Sequence, residues 1–324
     1  MKGPPLENCP ENNVSSTSKE LHGAGVTVTP VSYHGWADCY LLANGSVEAL
    51  VVPAIGRVMQ LRLEGAAEGS FWENRALDGQ LPALESDEWI NFGGDKCWPA
   101  PQSDWPRFQG CAWPPPVAFD ALPFKAVATE RGVRLTSAVD PGFGIQVTRH
   151  VELDAVRPVM RIRTEYHKIC GEAVKLGVWT ITQMRAPERV YFLLPEQSAF
   201  AEGCVRLMEG EPEDMRRNGR LLSLPRSPHE NAKIGSDAVS LAWVGRKCVV
   251  RIDAEAGPGE YPDGGCVTEI YTNADPLAYV ELEAMGPLAS MCAGDRIERT
   301  TIYTITARTT PDPAAEARRI FCLQ

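Results

Sequence analysis

The sequence predicts an all-β protein, a large sandwich of antiparallel strands that ends in one short helix. Short apolar runs of roughly four to nine residues recur along most of the chain. Gly, Pro, Asn and Asp stand between them, each suited to a turn. A helical pattern emerges only near the C-terminus.

Residues 26–31, 39–42, 47–52 and 57–63 read as the first strands, and Asn44-Gly45 between two of them signals a hairpin. The pattern resumes at 124–129, 133–138, 145–153, 159–166, 176–183 and 190–194. It continues at 238–243, 247–252, 267–272, 278–284 and 298–306. About fifteen strands at this spacing suit a sandwich. Residues 313–321 carry the helix, with Asp312 as cap and Pro313 in the first turn. The polar residues 1–24 read as a loosely attached tail. No repeat or composition shift divides the remainder, so 25–324 is expected to be one domain.

The chain has 324 residues, 44% of them hydrophobic and 23% charged, which is enough for a real core. A net charge of −10 argues against nucleic acid or an anionic membrane as partner. No apolar run has the roughly 18 residues of a membrane span. The N-terminus shows no secretory leader. Ten cysteines are scattered without a CxxC pair or zinc spacing. They are expected to be reduced thiols in a cytoplasmic protein with no metal and no cofactor. Nothing in the sequence indicates an oligomeric state.

Residues 89–106 are the most distinctive stretch. Trp89, Trp98 and Trp105 alternate with Pro99, Pro101 and Pro106, around the pair Gly93-Gly94. Prolines remove backbone donors and the glycines invite unusual dihedrals, so neither a helix nor a central strand is expected here. Indole faces suit the apolar side of a sugar ring. Asn91, Asp95, Lys96, Gln102 and Asp104 offer partners for its hydroxyls. A loop that merely closes the end of a sheet has the same composition.

Alternation groups further candidates. In 279–284, Tyr279, Glu281 and Glu283 share one strand face while Val280 and Leu282 take the other. The two carboxylates then lie about 7 Å apart. The same rule groups Glu269, Tyr271 and Asn273, and sets Trp179 with Gln183. An exposed sheet face is commonly polar without function, so the grouping gains weight only beside the Trp-rich loop.

Gly93-Gly94-Asp95-Lys96-Cys97-Trp98-Pro99 resembles a Gly-Gly…Trp-Pro signature near the sugar site of hexose-6-phosphate mutarotase-like proteins. Phe71-Trp72-Glu73-Asn74, the Glu-rich strand at 279–283 and the later Gly286-Pro287 resemble the same superfamily. Over roughly residues 26–308 the chain is similar to a bacterial branch of the galactose mutarotase-like superfamily, which includes aldose 1-epimerases. That resemblance implies a β-supersandwich with a saccharide bound on the concave face of one sheet. It also implies a glutamate base on the anomeric hydroxyl and a histidine acid on the ring oxygen.

The base carries over to Glu283, with Glu281 as second choice. The acid carries over poorly. His167 sits near the expected place, but Thr164-Glu165-Tyr166-His167 lacks the family's preceding asparagine. A general acid must titrate near neutrality within reach of the ring oxygen. His167, His150 and a desolvated Lys96 or Lys233 are the candidates. The expected catalytic set is therefore Glu283, Lys96 and His167. The expected substrate-binding set is Asn91, Asp95, Trp98, Gln102, Trp179, Gln183, Lys233, Glu269, Tyr271 and Glu281. Arg57, Arg75 and Arg107 leave a phosphorylated or acidic sugar open. Anomer interconversion leads, a non-catalytic saccharide-binding protein is the alternative, and a hydrolase or lyase using Glu281 with Glu283 ranks third.

Overall fold

The computed structural model describes residues 21–23, 25–82 and 89–323; the side chains of 21–23 are not described. The rest of the expected tail lies outside the described residues, but Leu21–Gly23 already pairs with the Val26–Tyr33 strand. Alternating and continuous apolar runs form two antiparallel sheets, of twelve and ten strands. The twelve-stranded sheet runs in sequence order from Leu21–Gly23 through Val26–Tyr33, Trp36–Ala43, Val47–Val52, Arg57–Leu63 and Asp95–Ala100. It then crosses to Val174–Arg185, Tyr279–Met285, Thr268–Thr272, Ala232–Ser236 and Val205–Arg206, while Ala289–Met291 pairs with Val174–Arg185. The ten-stranded sheet places Arg296–Ala307 between Cys248–Ala254 and Val159–Lys168, with Ile145–Leu153 beyond.

The predicted hairpin forms between Trp36–Ala43 and Val47–Val52. Asn44 Oδ1 accepts from the Ser46 and Val47 amides, and Gly45 takes φ +80°. The helix Pro313–Ile320 starts at Asp312, whose Oδ1 accepts from Ala314 N at 2.9 Å. The described cysteines are all free, and no helix among the described residues is long and apolar enough to cross a membrane.

One core fills the space between the sheets. Val280, Leu282 and Ile181 of the larger sheet meet Val147, Ile162 and Ile305 of the smaller in a single buried cluster. A polar knot crosses that core. Asp95 pairs with Arg149, and its Oδ2 accepts from Tyr303 at 2.6 Å and Thr182 at 2.7 Å. The Tyr166 hydroxyl donates to the Trp98 carbonyl at 2.7 Å.

The expectation that residues 89–106 hold neither helix nor central strand is overturned. Asp95–Ala100 lies mid-sheet, pairing with Val174–Arg185 over six positions. Trp105–Gln109 is a short helix. The strand tolerates Pro99 because its other neighbour, Arg57–Leu63, meets it only at Val58↔Asp95. Beyond that point one edge needs no ladder donor, which is where proline fits. Gly93 and Gly94 precede the strand with φ of +92° and +73°. A Cβ on Gly93 would stand 2.3 Å from the Trp72 carbonyl oxygen, so only glycine lets the two segments meet.

Candidate functional site

A cleft of about 680 Å³ opens on the face of the larger sheet turned away from the core. Strand alternation determines what it sees. In Asp95–Ala100, Lys96 and Trp98 point to the cleft side while Asp95 and Cys97 turn inward. In Tyr279–Met285, Tyr279, Glu281 and Glu283 face the cleft and Val280 and Leu282 enter the core. Trp179, Lys233 and Tyr271 arrive from three further strands, and Asn91 and Gln102 from the flanks of the Gly-Gly strand.

Tryptophans build the wall. Trp98 meets Trp179, Trp105, Trp113 and Trp89 edge-on, with centroid separations between 5.3 and 6.0 Å. Asp120, at the end of the Val117–Asp120 helix, anchors it: Trp98 Nε1 donates to Oδ1 at 2.9 Å and Trp89 Nε1 to Oδ2 at 2.8 Å. Buried Arg57 neutralises that carboxylate at 2.8 Å and also donates to the Gly93 carbonyl. The indoles are therefore pre-set, and with Trp105 donating to the Pro99 carbonyl and Trp179 to Glu283, four of their N–H groups are already satisfied.

Glu283 forms the polar floor and is only 1% exposed. Its Oε2 accepts from Trp179 Nε1 at 2.6 Å and from Lys233 Nζ at 3.0 Å. Its Oε1 has no partner among the described residues. Lys233 also pairs with buried Glu269 at 2.6 Å. Gln183 Nε2 donates to Glu281 Oε1 at 2.8 Å, and Lys96 Nζ stands 3.6 Å from that oxygen. Asn91 Nδ2 is a second buried cleft atom with no partner among the described residues.

Burial pushes the Glu283 and Glu269 carboxyls up, although the Lys233 ammonium opposes the shift. The Lys233 pKa is raised as well: its two carboxylates outweigh desolvation and hold it charged. Lys96, enclosed between Trp89, Trp98 and Glu281, is pushed down by burial. Among the described residues no cluster of three or more His, Cys, Asp or Glu is arranged to hold a metal ion.

Of the residues singled out in the sequence, Glu283, Glu281, Lys233, Tyr271, Trp179, Trp98, Asn91 and Gln102 line one cleft. Gln183 and Glu269 stand behind it, positioning Glu281 and Lys233. Lys96 also lies behind the lining, so it reaches a ligand only through Glu281.

Two expectations are corrected. Asp95 does not face the cleft: one residue before Lys96 on a strand, it takes the opposite face and the Arg149 ion pair. His167 does not approach the cleft either. It sits on the ten-stranded sheet, opposite Gln146 and Arg296, and its neighbours Tyr166 and Lys168 take the buried positions. His150, on the adjacent strand of that sheet, is equally remote. The arginines are spoken for: Arg57 by Asp120 and Arg75 by Glu73, while Arg107 is exposed beside Phe108. Trp113 and Asp120 also belong to the site, outside the set expected from the sequence. Trp113-Pro114-Pro115-Pro116 repeats the Trp/Pro composition and was a usable signal. Asp120 had none, because its partners are distant in sequence.

No family model and no curated protein sequence matches the chain. Solved structures do match in fold. A TPR-domain-containing protein from Parabacteroides distasonis superposes with a TM-score of 0.57 at 11% identity, over 84% of this chain and 47% of that one. This chain therefore spans about half of that protein's length. A galactose mutarotase-like protein from Lactobacillus casei gives 0.54 at 8% identity, over 82% and 99% of the two chains. One from Clostridium acetobutylicum gives 0.53 at 8%, over 87% and 98%. The two packed antiparallel sheets with one C-terminal helix are the galactose mutarotase-like fold.

Proposed function

We propose that the cleft binds a saccharide and interconverts its anomers, with Glu283 as the base. One observation carries this reading. A buried carboxylate is held by Trp179 and Lys233 through one oxygen, and its other oxygen is left without a partner at the floor of an indole-walled cleft. An acceptor that shape is suited to a hydroxyl on a ring stacked against the wall. As Glu283 takes the proton of the anomeric hydroxyl, the bond from the anomeric carbon to the ring oxygen breaks and a carbonyl forms. Rotation and reclosure give the other anomer.

The ring oxygen must gain a proton as that bond breaks. Lys233 lines the cleft as an ammonium and is hydrogen-bonded to Glu283 at 3.0 Å. It can stabilise the developing charge and donate, and the proton on Glu283 can then return to it. Because Lys233 holds its proton tightly, donation to the ring oxygen is the harder of the two proton transfers. The likeness of the fold to galactose mutarotase-like proteins favours the same chemistry, and membership of a bacterial branch of them is part of this proposal.

The non-catalytic alternative is favoured by one specific observation: no described histidine side chain lines the cleft. Anomer exchange followed by NMR across a panel of free aldoses separates the two. The proposal expects faster exchange, reduced at least about a hundredfold by Glu283→Gln. Binding without acceleration would leave a saccharide-binding protein. Hydrolysis is disfavoured because Glu281 and Glu283 rise from one strand, whereas a glycosidase pair flanks the scissile bond.

A further inference from the structure

The cleft is lined by more carboxyl than ammonium groups, and that imbalance bears on what enters it. Its lining carries the Glu281 and Glu283 carboxyls against one ammonium, that of Lys233. The nearby Asp120 does not alter the balance, because Arg57 is matched to it. Among the described residues no arginine lines the cleft. A phosphate or carboxylate on the ligand would therefore enter a region lined by more carboxyl than ammonium groups, with no free guanidinium to receive it.

Two acceptor positions remain open on the same strand. Glu283 Oε1 is buried on a side chain that lines the cleft, and has no partner among the described residues. Glu281 uses Oε1 for Gln183 and Lys96. Its side chain keeps 12% exposure, and no hydrogen bond from the described residues reaches Oε2. The aromatic wall already receives cations. Lys96 Nζ stands 4.9 Å from the Trp98 ring centroid, and Lys233 Nζ 4.8 Å from that of Trp179. Tyr271 and Tyr279 line the cleft beside Glu281, and no Lys or Arg among the described residues stands over either ring.

We propose that the preferred ligand is an unphosphorylated amino sugar, a 2-amino-2-deoxy aldose. Its anomeric hydroxyl meets Glu283 Oε1, and its ammonium meets Glu281 Oε2 against Tyr271 and Tyr279. This rests on the saccharide reading above and narrows it. The spacing suits vicinal groups: carboxylates two residues apart on a strand lie about 7 Å apart. Two hydrogen bonds of about 2.8 Å, bent about neighbouring ring substituents, reach across that span. The ammonium would also restore charge balance in the cleft, which a neutral hydroxyl does not.

The test is calorimetric binding of matched sets in the gluco, galacto and manno series. Each set contains the free 2-amino sugar, its 2-hydroxy parent, its N-acetyl derivative and the parent's 6-phosphate. In at least one series the amino sugar should bind ten times or more tighter than both the parent and the N-acetyl form, with the 6-phosphate weakest. Glu281→Gln, which keeps the shape, should reduce the amino-to-parent ratio toward one. Circular dichroism and thermal melting verify that the variant is folded.

If parents bind and amino forms gain nothing in any series, the amino-sugar inference is overturned while the saccharide reading stands. The same holds if the 6-phosphate binds tightest, or if the ratio survives in Glu281→Gln. If no member of any set binds, both fall.

Discussion

Glu283 ties function to a cost in stability. Burial raises its pKa, so the folded state holds the proton more tightly than the unfolded chain does. The stability gained from the protonated form is complete below the ordinary carboxylate range and is lost as pH rises through the raised value. Above the raised pKa the ionised base is therefore a strained group, and there Glu283→Gln should raise stability by about 1 kcal/mol while removing activity. Urea unfolding followed across pH, beside anomer exchange, checks both halves. Lys233 acts on the same group from the other side. Its ammonium lowers the Glu283 pKa, so Lys233→Met should move the acid limb of the pH–rate profile upward and lower the rate. An unmoved limb would mean that Glu283 is not the titrating base. At this scale the sequence was readable where alternation could be applied, as for Glu281 and Glu283. It misled at His167, where closeness to a family motif substituted for knowing which sheet the strand joins.

The element that decides the site is the Asp95–Ala100 strand, the one that local signals concealed. Pro99 and the flanking glycines argue against a strand when read alone, yet six paired positions with Val174–Arg185 override them. Once the segment is seen as a strand, alternation separates Lys96 and Trp98 from Asp95, a distinction a loop reading cannot make. Two variants test the two faces. Asp95→Ala leaves the fully buried Arg149 guanidinium without its carboxylate and should cost about 3–5 kcal/mol. The affinity of the molecules that remain folded should not change. Gly93→Ala meets the Trp72 carbonyl and an unfavourable φ, so it should cost at least about 1 kcal/mol and also disturb Asn91 and the tryptophan wall. Denaturation curves paired with sugar titrations separate a pure stability loss from a damaged cleft.

For the whole molecule, the two-sheet plan was legible because it is written in a pattern repeated along the chain, and many short apolar runs survive errors at single boundaries. The cleft was half legible. Its strands announce themselves by alternation, but the Asp120 clamp and the Arg149 knot join residues far apart in sequence, which no local pattern encodes. Those long-range links also bear on cooperativity. Ile181, Val280 and Leu282 share one buried cluster with Val147, Ile162 and Ile305, so neither sheet can open without exposing the other's apolar face. Asp95, Tyr303 and Thr182 add polar bonds across the same gap. Residues 25–324 are accordingly expected to unfold as one unit. Tryptophan fluorescence reports mainly on the cleft wall, and far-ultraviolet circular dichroism on both sheets, so the two urea transitions should coincide. A fluorescence midpoint clearly below that of circular dichroism would show that the sheet carrying the cleft tryptophans opens by itself and would overturn the single-unit expectation.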